Sequence, residues 1–157
     1  MAKKNSVSQT KIISNRRARH DYTIKDDVVV GIVLTGAETK SLRLGNGQLR
    51  GAYIAIKDNE LWLVNATISG TSGIPIDENN KSRTRKLLAK RRQIDALIQA
   101  KQQGQAIVPL NIITSGRFIK VRIAAGRGKK LYDKRQTIKE RDQNRQARNS
   151  IKQQNRI

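Results

Sequence analysis

Eight consecutive residues, Gly128, Lys129, Lys130, Leu131, Tyr132, Asp133, Lys134 and Arg135, combine four cations with one aromatic ring. Lys and Arg neutralise phosphates, and a base freed from its stack can lie on a Tyr ring, so this spacing suits RNA better than a small substrate. The residue types that would support bond-making chemistry are missing from comparable positions. A phosphate loop ending at Gly128-Lys129 would need glycine at 123 and a hydroxyl after the lysine, but the chain has Ile123 and Lys130. His20 beside Asp21 resembles half of a nucleophilic triad, yet no serine is marked out to complete it. Asp26, Asp27, Glu38, Asp58, Glu60, Asp77 and Glu78 fall largely at turns and element ends, where capping and solvation account for them. With no cysteine and only His20 as imidazole, neither a metal site nor a cofactor is expected. The sequence carries no enzyme signature.

Charge sets the class of partner. The 157 residues hold 33 Lys and Arg against 12 Asp and Glu, a formal charge of +21, and the pI is near 11.2. Such an excess favours a polyanion. It is also unevenly placed: residues 1–20 carry six basic residues and no acid, residues 81–92 seven and none, and residues 126–157 eleven against three. Any one block alone is well explained as a solvated face. Together they hold 24 of the 33 basic residues and make a binding surface. No apolar run approaches the roughly 18 residues that cross a bilayer, so no membrane partner and a cytosolic, monomeric protein are expected.

The elements that must position these groups fit one domain with a tail. Residues 1–11 read as a basic arm lacking order, residues 12–125 as the folded domain, and residues 126–157 as a basic tail. Tyr22 to Ile24 is a short strand candidate, and the apolar run Val28 to Leu34 predicts a strand buried on both faces. Ala37 to Leu44 predicts two helical turns closed by Gly45. Ala52 to Lys57 and Glu60 to Asn65 flank Asp58-Asn59, which predicts a tight hairpin. Residues 69–80 read as a loop. Leu87, Leu88, Ile94, Leu97 and Ile98 recur at helical spacing, predicting a helix capped at Ser82 or Thr84 and ending at Gly104. Ala106 to Ile113 and Arg117 to Ala124 predict two further strands, with Pro109 arguing for an edge or a strand start. Beyond Ala125 the aliphatic supply falls to Leu131, Ile138 and Ile151, too little to order thirty residues, so the tail is expected to lack order when free. About five or six short strands with one long helix give an α+β fold class: a small closed β-barrel with helices at its ends and a basic C-terminal tail.

Four segments, in order, resemble the SsrA-binding protein family of bacterial trans-translation. They are Asn15-Arg16-Arg17-Ala18-Arg19-His20-Asp21-Tyr22, Gly36-Ala37-Glu38-Thr39-Lys40-Ser41-Leu42-Arg43, Arg83-Thr84-Arg85-Lys86-Leu87-Leu88 and the octapeptide at 128–135. The resemblance covers nearly the whole chain and implies a small antiparallel, oligonucleotide-binding-like β-barrel with flanking helices. Departures from the family's usual pattern occur at Val29, at Ala89-Lys90 and across Ile112 to Ser115.

The resemblance implies that the barrel binds the tRNA-like domain of transfer-messenger RNA, and that the pair enters ribosomes stalled on messages without a stop codon. It implies an RNA surface formed or supported by Asn15, Arg17, His20, Tyr22, Glu38, Lys40, Ser41 and Arg43, with Arg85 and Lys86 added from the third segment and Lys120 at a further matching position. Leu88 matches a further position and is expected to act by packing. It also implies that the tail becomes helical in the vacant message channel near the decoding centre. There Lys129 and Lys130 would hold small-subunit ribosomal RNA, Tyr132 would stack on a base, Asp133, Lys134 and Arg135 would act in the decoding step, and Ile138 and Ile151 would anchor the helix. Elongation factor Tu would be met only indirectly, through the charged RNA. Taken without the resemblance, the same charge, barrel and extension also suit a constitutive basic ribosomal protein.

Overall fold

The computed structural model describes residues 11–154. Its frame is a seven-stranded antiparallel sheet whose first four neighbours in order are β1 (Ile12–Ser14), β8 (Ala106–Ile113), β9 (Lys120–Gly128) and β2 (Tyr22–Ile32). The order continues through β7 (Arg85–Leu88) and β5 (Glu60–Val64) to β4 (Tyr53–Lys57). β3 (Gly47–Gln48) and β6 (Thr67–Ile68) form a separate two-stranded ladder. The sheet curls until β4 lies near β8, but no ladder joins them. The architecture is therefore oligonucleotide-binding-like and the barrel is not closed. Val30, Leu42, Ile54, Leu61, Leu63, Leu87, Leu97, Ile112, Val121 and Ile123 fill its interior.

Local chemistry explains the elements. Asp58 and Asn59 have φ of 52° and 56°, the left-handed pair that a two-residue hairpin turn needs, and they join β4 to β5 in the register Lys57 opposite Glu60. The helix α2 (Gly36–Leu44) is opened by a reciprocal box: Thr35 Oγ1 accepts from Glu38 N at 3.3 Å, and Glu38 Oε2 accepts from Thr35 N at 2.8 Å. Gly45, at φ 91°, closes it. The short α1 (Arg16–Asp21) packs Ala18 against Val108, Leu110 and Ala124, forming a second small apolar cluster. Two more helices lie within the domain, α3 (Glu78–Lys81), overlapping the end of the expected loop, and α4 (Arg91–Gln102).

Several expectations change. The two strand candidates at 22 and 28 are one strand, β2, irregular between Ile24 and Asp27. It is not buried on both faces, because the outer side of the sheet is open there and Val29 is 40% exposed while Val30 is 2% exposed. Arg85–Leu88 is strand, not helix: Arg85 and Leu87 point inward and Leu88 outward, as period two requires, and the segment is inserted between β2 and β5. The helix begins only after Lys90, whose N–H is accepted by Gln93 Oε1 at 2.9 Å. Pro109 sits at a bulge within β8, beyond the reach of β1, so its missing N–H breaks no ladder bond on that side.

Residues 1–10 of the expected arm lie outside the described residues. The sheet continues three residues past the expected boundary at Ala125, with Tyr22 opposite Gly128. The structure then has a helix, α5 (Leu131–Gln154), where the sequence argues for a tail without order. None of its described side chains is buried. The scarcity of apolar residues thus appears as an absence of packing, while backbone hydrogen bonding carries the helix.

Candidate nucleic-acid interface

The expected RNA residues separate into two exposed surfaces and a buried network. The first surface surrounds α1 and the root of α5. Arg17 is exposed, while His20 and Tyr22 are half-buried. Tyr22, Arg19 and Lys129 line a recess of about 390 Å³ with Ile24, Lys25 and Leu110. Asn15 serves this surface from beneath. Its Oδ1 accepts from Ala18 N at 3.3 Å and its Nδ2 donates to Pro109 O at 3.0 Å, so it caps α1 and ties it to β8.

Asp21 is the joint between this surface and the tail. Its Oδ1 lies 3.1 Å from His20 Nδ1 and 3.0 Å from Lys134 Nζ, and its carbonyl accepts from Lys129 N at 2.8 Å. Lys129 Nζ also donates to Arg19 O at 3.2 Å. The bond with His20, followed by that with Lys134, holds the Asp21 carboxyl below its ordinary pKa. Lys130, Tyr132, Asp133, Arg135, Ile138 and Ile151 are exposed along α5, with Tyr132 at 71%. Asp133 Oδ2 accepts from Lys130 N at 3.3 Å and so caps the first turn.

The second surface lies where α2 meets the β8–β9 connection. Lys40, Arg43, Arg117 and Lys120 are exposed, and none forms an ion pair among the described residues. Arg43 Nη2 donates to the carbonyls of Gly116 (3.2 Å) and Arg117 (3.1 Å), fixing that connection. Leu88 is 54% exposed, so it does not act by interior packing. Lys86 is partly neutralised by Glu60 Oε1 at 2.5 Å.

Glu38, Ser41 and Arg85 are buried beneath the second surface. Glu38 is 1% exposed and accepts from Thr35 N, from Arg83 Nε (2.8 Å) and Nη2 (2.6 Å), and from Arg85 Nε (2.9 Å). Burial raises its pKa, but these donors outweigh burial and hold it below the ordinary value. Arg85 is fully buried, and its other donors reach the carbonyls of Ala66, Asn80, Lys81 and Arg83. Ser41 Oγ donates to Ser69 O from a buried position. These residues brace α2 against β6 and β7, and thereby position Lys40 and Arg43.

Sequence reasoning did not single out Asp21, Arg83, Arg117 and Phe118 as site residues. Thr35, three residues before Glu38, is the signature of a helix-capping box and would have identified Glu38 as structural. Among the described residues no group of His, Asp and Glu could hold a metal ion, and no helix is long and apolar enough to cross a membrane.

Comparison with known proteins places the chain in a family. The family profile described as SmpB protein matches residues 12–153. The SsrA-binding protein of Streptococcus suis is 44% identical over 147 residues, covering 90% of this chain and 92% of that protein. The SsrA-binding protein of Paracoccus denitrificans is 41% identical over 155 residues, covering 98% and 99%. A solved structure presented as "tmRNA-SmpB: a journey to the center of the bacterial ribosome" superposes with a TM-score of 0.63 at 37% identity, covering 76% of this chain and 85% of that one. By this breadth of match, the chain belongs to the SmpB family of SsrA-binding proteins.

Proposed function

We propose that the sheet domain binds the tRNA-like domain of transfer-messenger RNA and that the protein accompanies this RNA to stalled ribosomes, its tail occupying the empty message channel near the decoding centre. Membership of the SmpB family carries the reading. The two cationic surfaces, separated by a braced core, supply its physical basis: Lys40, Arg43 and Lys120 neutralise phosphates of the bound RNA, and Arg17, His20 and Tyr22 brace an exposed loop. Lys129 and Lys130 meet small-subunit ribosomal RNA, Tyr132 stacks, and Asp133, Lys134 and Arg135 act at the decoding step. With so little buried surface, α5 is a marginal helix when free and consolidates on the ribosome, with Ile138 and Ile151 as its apolar contacts. Elongation factor Tu joins only through the charged RNA. The protein itself makes and breaks no bond.

Deleting residues 128–157 tests the division of labour. The truncated chain should bind the isolated tRNA-like RNA as the full chain does, while tagging of nascent chains on stalled ribosomes is abolished. Loss of both activities together would refute it. Stoichiometric co-sedimentation with ribosomes reading intact messages would favour a constitutive ribosomal protein instead.

A further inference from the structure

We infer that Phe118 is a stacking platform for one unpaired nucleobase of the bound RNA, with Arg117 and Lys120 holding the neighbouring phosphates; this rests on the RNA-binding reading above and specifies how one site performs it. The chain has a single Phe, and aromatic residues make up 3% of its composition. A chain so poor in large apolar groups gains most by burying such a ring. Phe118 is nonetheless 68% exposed.

Its surroundings are specific. The Arg117 guanidinium carbon lies 5.4 Å from the ring centroid, presenting a cation against the π system. Beside the ring is a recess of about 370 Å³, lined by Gly31, Ile32, Leu34, Thr39, Leu88 and Lys120. That volume is at the lower end for small organic ligands and suits a single base. At Gly31 the floor is close-fitting, since an added methyl group would stand 3.2 Å from Leu88 Cβ. No carboxylate lines the recess. An apolar ring, an apolar floor and unpaired cations at the rim complement a base with its phosphates and do not complement an acid-free protein surface.

The platform is also fixed before any ligand arrives. Arg43 holds the carbonyls of Gly116 and Arg117, Ile119 roots the strand at 6% exposure, and Thr114 Oγ1 donates to Lys11 O at 2.6 Å. A preorganised ring loses little freedom when a base settles on it.

The test measures the affinity of the full-length protein for the tRNA-like domain of transfer-messenger RNA at several salt concentrations, for the unaltered chain and for F118A, F118L and F118W. Because the side chain is exposed, thermal melting should be unchanged in all three. F118A and F118L should weaken binding by roughly five- to 150-fold, with F118W within about twofold of the unaltered chain. The slope of log affinity against log salt should be the same in all four, since no phosphate contact is removed. An F118A effect under about twofold, or F118L binding as well as the unaltered chain, overturns the inference. So does a loss accompanied by a shallower salt slope, which would mean that the ring acts only by placing the cations. Failure of the unaltered chain to bind the RNA overturns the RNA-binding reading and this inference together, and is thereby distinguished from failure of Phe118 alone.

Discussion

Replacing Glu38 with Ala removes the one carboxylate that, among the described residues, pairs with two arginines. Arg85, at 0% exposure, keeps four carbonyl acceptors but loses its only counter-charge. Leaving one partner of a buried pair uncompensated costs about 3–5 kcal/mol, to which the opened capping box adds about 1 kcal/mol. For a chain of this size each kcal/mol moves the melting temperature by about 2–4 °C, so E38A, at about 4–6 kcal/mol, should melt about 8–24 °C lower. Arg83 is 31% exposed and its removal leaves Glu38 still paired with Arg85, so R83A should shift the melt by less than half as much. The assay pairs thermal unfolding with RNA affinity measured well below both transitions. The folded E38A protein should bind the tRNA-like RNA within about twofold of the unaltered chain, allowing for a small displacement of Lys40 and Arg43. Unshifted melting with lost RNA affinity would refute the reasoning and return Glu38 to the interface.

Further outcomes follow from the same contacts. Because the native pKa of Glu38 is depressed, its contribution should be complete above its ordinary value of 4.5 and lost as pH falls through the lower native value; denaturant midpoints of the unaltered chain and E38Q should differ constantly above about pH 5 and converge below it. D21N removes the carboxylate that holds Lys134 but leaves the backbone bond to Lys129, so amide exchange should quicken over residues 130–135 while the sheet stays protected; unchanged exchange would mean that Asp21 is not the joint. Replacing Lys40 or Arg43 with Ala should weaken RNA binding and lower the salt slope by about 0.7 log units per lost single-strand phosphate contact, more for duplex, and an unchanged slope would remove that residue from the interface.

How far the sequence could be read depended on whether a pattern admitted one physical explanation. Asp58-Asn59 between two apolar runs has one compact solution, and the hairpin follows from it. Gly45 after Leu44 likewise stops a helix and little else. Leu87 and Leu88 fit both a helical stripe with Ile94 and Leu97 and a strand with one residue inward and the next outward; only the neighbours β2 and β5 decide, and those contacts are remote in sequence. Charge was misleading for the same reason. Arg85 lies in a block of twelve residues with seven cations and no acid, where a solvated or RNA-facing position is the natural expectation, and nothing local announces that Glu38, 47 residues away, and the carbonyl of Ala66 join nearby carbonyls in enclosing it. Lys40, Arg43 and Lys120 are outward, the ordinary place for a long cationic side chain, and Arg85 is the exception.

The register of β1, β8 and β9 has a consequence for reach. Ile12 lies opposite Ile113, whereas Gly126 lies opposite Ala106, so the chain enters the sheet at one end of β8 and departs from the other. Eight residues of strand at about 3.3 Å each put roughly 23 Å between those points. That exceeds the Debye length of about 8 Å at physiological salt, so charges at the two ends act on separate stretches of polyanion. The sheet works as a spacer of set length, and shortening β8 by two residues would draw its ends together without altering a single cation.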